Sequence, residues 1–342
     1  MERLIQEARA KKAADLHLKA GQPPLVRVDG ALTPLRPEVL SREDCDRLCS
    51  QLLEGDVPSG GEVDLAKTVA GCRLRVNLFR AQSGLCAAIR LLSDEIPQLE
   101  SLGLPPAALE LKNLARGIVL VTGQTGSGKS TTLAALLNAI NHERPCHILT
   151  LEDPIEYQYS PDRALINQRE IGADTASYAQ GLREALREDP DIILIGEMRD
   201  LDTIETALTA AETGHLVFAT LHTNSAADSV DRIVSVFPSG RQQQARMQLS
   251  TTLKAVLSQQ LLPCIGGGRA LACELMMVNP AIQNLIREGK TPQISSSIAT
   301  SAKDGSLAMD ACLLRLYRER KISREVAVQA AQDPEYFKRS LH

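Results

Sequence analysis

The sequence of 342 residues has no Trp, and aromatic residues make up only 3% of it. Proteins that hold single-stranded nucleic acid stack bases on aromatic side chains, so that class of function is disfavoured. Net charge is −4, from 38 Lys and Arg against 42 Asp and Glu. A negative surplus gives no electrostatic pull toward nucleic acid or an anionic membrane. No apolar run approaches the roughly 20 residues of a membrane-spanning helix. Met1 opens into the charged helical pattern MERLIQEARAKKA rather than an apolar signal segment. The expectation is a cytoplasmic protein with no nucleic-acid partner and no direct membrane insertion.

Zinc-binding cysteine pairs are also missing. The 8 cysteines are Cys45, Cys49, Cys72, Cys86, Cys146, Cys264, Cys273 and Cys312, and none forms C-x-x-C. Cys45 and Cys49 lie one helical turn apart, but no second pair completes a zinc site, so all are read as reduced thiols. What is present, 44% apolar and 23% charged residues, is the composition of a globular protein. The length fits about two domains.

Residues 1–97 read as an α+β domain. Strand patterns fall at Asp15–Lys19, Leu25–Val28, Glu62–Lys67, Cys72–Phe79 and Leu85–Leu92. Asp29-Gly30 is a hairpin signal, Asp56 to Glu62 a loop, and Ser41 to Leu53 a helix capped by Ser41. Arg73, Arg75, Arg80 and Arg90 sit in or beside the last two strands. Arg75 and Arg90 are flanked by apolar residues. Alternation alone turns such arginines to solvent; the other reading is that some reach a phosphate across a domain or subunit boundary. Asp94 to Pro106 (DEIPQLESLGLPP) is a linker by composition, and the boundaries are set at 1–97, 98–108 and 109–342.

The most specific stretch is VLVTGQTGSGKSTTLAALL, from Val119 to Leu137. Gly123–Ser130 fits G-x-x-x-x-G-K-[ST], between an apolar strand and an Ala/Leu-rich helix, which is the context a phosphate-binding loop needs. Gly123, Thr125, Gly126, Ser127, Gly128, Lys129, Ser130 and Thr131 are therefore the nucleotide-binding candidates. Lys129 would reach the β- and γ-phosphates, and Ser130 would ligate Mg²⁺. Strands at Ile118–Val121, Ile148–Leu151, Ile192–Ile195 and Leu216–Leu221 alternate with helices at 129–141, 175–188, 201–213 and 225–236. That is the pattern of a parallel sheet with crossover helices. Each strand ends in chemistry: the phosphate loop, Glu152-Asp153, Gly196-Glu197 and His222. Glu197 is the candidate that polarises the attacking water, and Gly196 stands where many such proteins carry a Mg²⁺-binding Asp. Glu152, Asp153 or Glu156 can hold Mg²⁺ or order the nucleophile. His215 and His222 bracket the fourth strand as γ-phosphate sensors or as structural residues. From about 240 the chain reads as mainly helical, with helices at Gln242–Gln260, Pro280–Glu288, Met309–Arg320 and Arg324–Asp333. Ser295–Ser306 reads as a surface loop and Gly266–Gly268 as a turn.

The motifs GQTGSGKSTT, ILTLEDPIEY, INQREIG, ALREDPDIILIGEMRD and TAAETGHLVFATLHTNSA together resemble the secretion-superfamily ATPases of type IV pili and type II secretion. The PilT-type retraction branch resembles the chain most. AADLHLKAGQPPLVRVDG and SQQLLPCIGGGRALACELM extend the likeness over nearly the whole length. The resemblance implies a PAS-like N-terminal domain, a RecA-like P-loop ATPase domain with a helical C-terminal region, and a hexameric ring. It implies an ATP- and Mg²⁺-dependent hydrolase that drives pilus retraction and twitching motility. It carries arginine fingers onto Arg75 and Arg90, the second nucleotide motif onto Glu197, the acidic box onto Glu152 and the histidine box onto His215 and His222. It further implies an inner-membrane pilus platform protein as partner, and leaves open whether a second pilus ATPase works beside it. Extension and secretion motors of the family are longer and carry a four-cysteine zinc insert, which this sequence lacks. The rival expectations are such an extension or secretion ATPase, or an accessory nucleotide-binding subunit. One departure is visible: the retraction branch has A-I-R-N-L-I-R-E, and Ala281–Glu288 reads AIQNLIRE. Gln283 keeps hydrogen-bonding capacity but loses the charge and the planar donor fork.

Overall fold

Leucine, isoleucine and valine alternating with polar residues give half-buried strands; unbroken apolar runs give strands buried on both faces. The chain contains both kinds, segregated into two units. The computed structural model describes residues 1–28, 30–53, 61–92 and 95–339. Asp29 of the expected hairpin turn, the stretch 56–60 of the expected loop, and Asp94 at the head of the expected linker lie outside the described residues. One unit comprises Met1–Glu95 with Pro154–Gln158, the other Ile96–Asp153 with Tyr159–His342.

The first unit runs α1 (Glu2–Ala10), β1 (Asp15–Leu18), β2 (Leu25–Val28), β3 (Ala31–Pro34), α2 (Arg42–Ser50), β4 (Glu62–Val69), β5 (Cys72–Ala81) and β6 (Gly84–Leu91). The strands form a 6-stranded sheet in the order β3-β2-β1-β6-β5-β4, antiparallel throughout. Leu74, Val76 and Leu78 of β5 pack with Leu16, Val26 and Ile89 and with Ile5 and Cys49 of the helices. Arg73, Arg75 and Asn77 alternate onto the other face. Ser41 caps α2 in a reciprocal box with Asp44, an arrangement worth about 1 kcal/mol.

The second unit continues with α3 (Pro106–Leu109), β7 (Gly117–Thr122), α4 (Lys129–Glu143), β8 (His147–Glu152), β9 (Leu165–Glu170), α5 (Tyr178–Ala185), β10 (Ile192–Ile195), α6 (Leu201–Glu212), β11 (Leu216–Leu221), α7 (Ala226–Ser235), α8 (Gln242–Thr252), β12 (Leu253–Pro263), β13 (Arg269–Met277), α9 (Pro280–Glu288), α10 (Ile294–Thr300), α11 (Met309–Arg318), α12 (Arg324–Ala330) and α13 (Pro334–Arg339). Its 7-stranded sheet has the order β13-β12-β7-β11-β10-β8-β9. Neighbours are parallel except for the β12–β13 hairpin. Side-chain alternation feeds a core on each face. Ile118, Leu120 and Ile193 pack among α5–α10, and Val119, Val121 and Ile192 among α4 and α11–α13. This is the expected α/β architecture.

The expected helix Gln242–Gln260 stops at Thr252, and Leu253 begins β12, which lies against β7. The segment is apolar on both sides because it is interior to the sheet, and no Gly or Pro marks the change. The C-terminal region is therefore helical only around a long hairpin. Ser295–Ser306, expected as a loop, contains α10, whose Ile294 and Ile298 are buried one turn apart. Leu99, Leu104 and Ala108, within the stretch read as a linker, are buried in the second unit's core.

Candidate nucleotide site

The loop between β7 and α4 is shaped by its glycines. Gly123 has φ +142°, and a Cβ there would meet Gln259 O at 2.4 Å and Ser127 Oγ at 2.6 Å. Gly128, the N-cap of α4, sits in the left-handed region at φ 91°. The backbone N–H groups at the start of α4 have no intrahelical acceptors, so the loop and helix end form an anion cradle. Lys129 Nζ donates to Gly123 O at 2.8 Å and Gln124 O at 3.0 Å, which holds it over the loop. Ser127 Oγ is buried and has no hydrogen-bond partner among the described residues. Thr125 and Gly126 are exposed, and Ser130 and Thr131 are half-buried on the first turn of α4. From behind, β12 braces the loop: Thr122 Oγ1 donates to Ser258 Oγ at 2.9 Å and Gln259 Nε2 to Thr132 Oγ1 at 2.8 Å. A cavity of about 790 Å³ borders the loop at Gln124–Ser127 and Gln259.

Register sets the acids. Leu151 pairs with Ile195 and Ile195 with Ala219. Glu152 and Gly196 therefore leave the sheet side by side, with Thr220 as the next neighbour. Thr220 Oγ1 donates to Gly196 O. Glu197 accepts from Arg199 Nη2 at 2.6 Å, and His222 Nε2 lies 3.3 Å from its other oxygen. Its side chain is only 16% exposed. Burial opposes its charge, but the Arg199 hydrogen bond and the His222 and Arg199 charges prevail, so its carboxyl sits below the usual range. Glu152 accepts from Thr150 Oγ1 at 2.6 Å and Gln168 Nε2 at 3.1 Å. A Cβ on Gly196 would meet Tyr178 Oη at 2.8 Å and Leu151 O at 3.1 Å. There is no room for the Asp that many such proteins carry there. Burial, then the charges of Asp153 and Glu197, push the Tyr178 phenol up.

Within the second unit, His215 is not brought to this cluster. His215 precedes β11 and His222 follows it, about 20 Å apart at strand rise. His215 Nδ1 faces Ala210 O at 2.9 Å, and its carbonyl accepts from Gly117 N at the far end of β7. It braces the α6–β11 corner, at the opposite end of the strand from Glu197. Asp200 caps α6 by accepting from Thr203 N at 2.9 Å. Arg75 and Arg90 belong to the first unit, directly opposite one another on β5 and β6, and both are exposed. Thr150, Gln168 and Tyr178 were not singled out from the sequence. Gln168 lies in the noted run INQREIG, on the edge strand β9, whereas nothing local marks Tyr178. Among the described residues, no three His, Cys, Asp or Glu side chains are arranged to hold a metal. A divalent ion here would need oxygens from a bound phosphate.

A glycine-shaped loop before a helix, beside strand-end carboxylates on a mainly parallel sheet, defines a P-loop nucleotide-binding protein. The chain belongs to the Type II/IV secretion system protein family, whose sequence profile matches residues 1–269. It is 47% identical over 330 residues to the type IV pilus retraction ATPase PilT of Pseudomonas aeruginosa, covering 95% of this chain and 96% of that one. To a twitching motility protein of Neisseria gonorrhoeae it is 45% identical over 318 residues, covering 91% and 85%. A crystal structure of the pilus retraction motor PilT with bound ADP has a TM-score of 0.90 against it at 46% identity, over 99% of each chain.

Proposed function

We propose that this chain is an ATP-hydrolysing motor of a type IV pilus that drives pilus retraction as a homo-hexamer. The observation that carries the hydrolytic reading is Glu197, ionised and held between Arg199 and His222 at a strand end. In this reading Gly123–Thr131 cradle the phosphates and Lys129 turns to the β- and γ-oxygens. The buried, unpartnered Ser127 Oγ beside the loop N–H groups fits a phosphate ligand. Ser130 and Glu152 would hold Mg²⁺, which neutralises phosphate charge when bound. Glu197 accepts a hydrogen bond from the attacking water and aims it at the γ-phosphorus. His222, on the same carboxylate, senses the γ-phosphate. Arg75 and Arg90 supply finger charge to the γ-phosphate.

Likeness to retraction proteins over almost the full length supports the direction of action. The mechanical partner would be a pilus platform protein in the inner membrane, with the motor at its cytoplasmic face. No helix among the described residues is long and apolar enough to cross a membrane. Gln283 in place of the retraction branch's first arginine favours a second reading, an accessory motor beside another pilus ATPase.

Deleting the gene tests the proposal. Excess pili without twitching is expected, together with phosphate release by the purified protein and Mg-ATP. Loss of pili would assign an extension motor, retained twitching an accessory one, and absence of phosphate release would reject the motor altogether.

A further inference from the structure

Asp15, Arg27, Arg75 and Arg90 form one transverse row on the first unit's sheet. Arg27 pairs with Asp15 across β2–β1, Asp15 with Arg90 across β1–β6, and Arg90 with Arg75 across β6–β5. Pairing in register puts all of them on one face, opposite the one where Leu16, Val26, Ile89 and Val76 are buried. Like charges directly opposed on a ladder are destabilising. An Arg90–Arg75 pair with carboxylate compensation from one side only is therefore arranged for something other than stability.

Asp15 is the fixed member of the row. Its Oδ1 accepts from Arg90 Nε at 2.9 Å, and its Oδ2 lies 3.4 Å from Arg27 Nε. The Asp15 side chain is 13% exposed and that of Arg90 57%. Arg27 is itself tied down through Nη1, which donates to Gly30 O at 2.9 Å. Arg90 is gripped by Nε alone, and its two terminal nitrogens have no partner among the described residues. A guanidinium is planar, so a bond from Nε to a fixed acceptor sets the plane while the Nη1/Nη2 fork stays free for a bidentate anion. Arg75 has no carboxylate partner among the described residues.

We propose that Asp15 is a positioning residue for Arg90: it holds the guanidinium by Nε so that the Nη fork meets the γ-phosphoryl oxygens of ATP. This rests on the reading of Arg90 as an arginine finger. Asp15 itself touches no substrate; it sets the angle at which Arg90 does. The two arginines are then unequal, Arg90 pre-oriented and Arg75 not.

The test is steady-state ATP hydrolysis by the full-length protein with Mg-ATP, comparing Asp15→Ala, Asp15→Asn, Arg90→Ala and the Asp15→Ala/Arg90→Ala double variant. Misaiming a catalytic group by about 1 Å costs up to roughly 100-fold. Asp15→Ala should lower kcat roughly 10- to 100-fold with the KM for ATP unchanged, because the phosphate loop still binds the nucleotide. Asp15→Asn keeps an acceptor for Nε and should retain more activity than Asp15→Ala. The double variant should be no slower than Arg90→Ala alone. Additive losses, a matching rise in KM, or Asp15→Asn and Asp15→Ala both at the parental kcat while Arg90→Ala is slow, would overturn the positioning role and leave the finger standing. Parental kcat in Arg90→Ala would overturn both. If Asp15→Ala unfolds, Asp15→Leu, which also removes the acceptor, takes its place with the same expected and overturning outcomes.

Discussion

The Glu197 carboxylate lies 3.3 Å from His222 Nε2, although 25 positions separate them in sequence. The closeness follows from sheet order: β10 and β11 are parallel neighbours, paired Ile195 to Ala219, so the residues beyond their ends meet. Arg199 grips the other oxygen of the carboxylate. A carboxylate compensated from two sides stays ionised while partly buried, which is what a water-orienting base requires.

Glu197→Gln should keep the shape of the site and remove the charge. Phosphate release is expected to fall by at least about 100-fold, the usual contribution of a positioned base. Binding of a fluorescent ATP analogue should persist, since the loop Gly123–Thr131 is untouched. Parental turnover in this variant would reject Glu197 as the base.

The depressed Glu197 carboxyl has a pH consequence with a definite sign. Its folded pKa is below the usual 4.5. It therefore contributes stability that is present above pH 4.5 and is lost as pH falls through the folded value. Replacing Arg199 by Met removes a lowering influence, leaving burial opposed by His222. The acid limb of kcat should then move to higher pH. Profiles of kcat from about pH 3 to pH 8 check this, and an unmoved limb would show that Arg199 does not tune the base.

Gly196 is glycine for lack of space. Gly196→Ala should destabilise the protein by roughly 1–3 kcal/mol, the cost of overpacking a filled site. Part of that loss should return in Gly196→Ala/Tyr178→Phe, because Tyr178 Oη is the nearest atom to the added methyl. Thermal unfolding of the parent, both single variants and the double variant measures the coupling. Purely additive losses would mean that Leu151 O, not Tyr178, forbids the side chain.

Much of this was legible in the sequence, and the exceptions have physical causes. The phosphate loop, Glu197 and the strands Ile192–Ile195 and Leu216–Leu221 came from local patterns: a glycine spacing and short apolar runs. Strand β12 did not, because a strand buried on both faces and a buried helix share one apolar signature. Serine content hid α10, whose only signal is Ile294 and Ile298 at i and i+4. A residue pattern shows that His215 and His222 flank one strand; only the strand's length and direction show that they cannot share one carboxylate. Tyr178 comes close to Gly196 through tertiary packing, which no local pattern encodes.

Gln283 separates ATP turnover from its mechanical use. It lies on α9, half-buried, and its side chain makes no hydrogen bond among the described residues. Helix α9 packs against α8, and its buried residues Ile282 and Ile286 lie in the core on the α5–α10 face, whereas α4 packs in the other core. Gln283→Arg restores the family's charged fork at a place where a longer, partly solvated side chain fits at a cost within about 0.5 kcal/mol. Phosphate release should stay within about twofold of the parent, because no residue of α9 is among those placed at the nucleotide site, so the barrier to hydrolysis is left unchanged. Twitching, measured as the rate of colony spreading, should change, because the substitution alters how α9 meets whatever the motor pushes against. A tenfold fall in kcat would instead place Gln283 in the hydrolytic cycle. Unchanged spreading with unchanged kcat would show that the first arginine of the motif is dispensable in this chain.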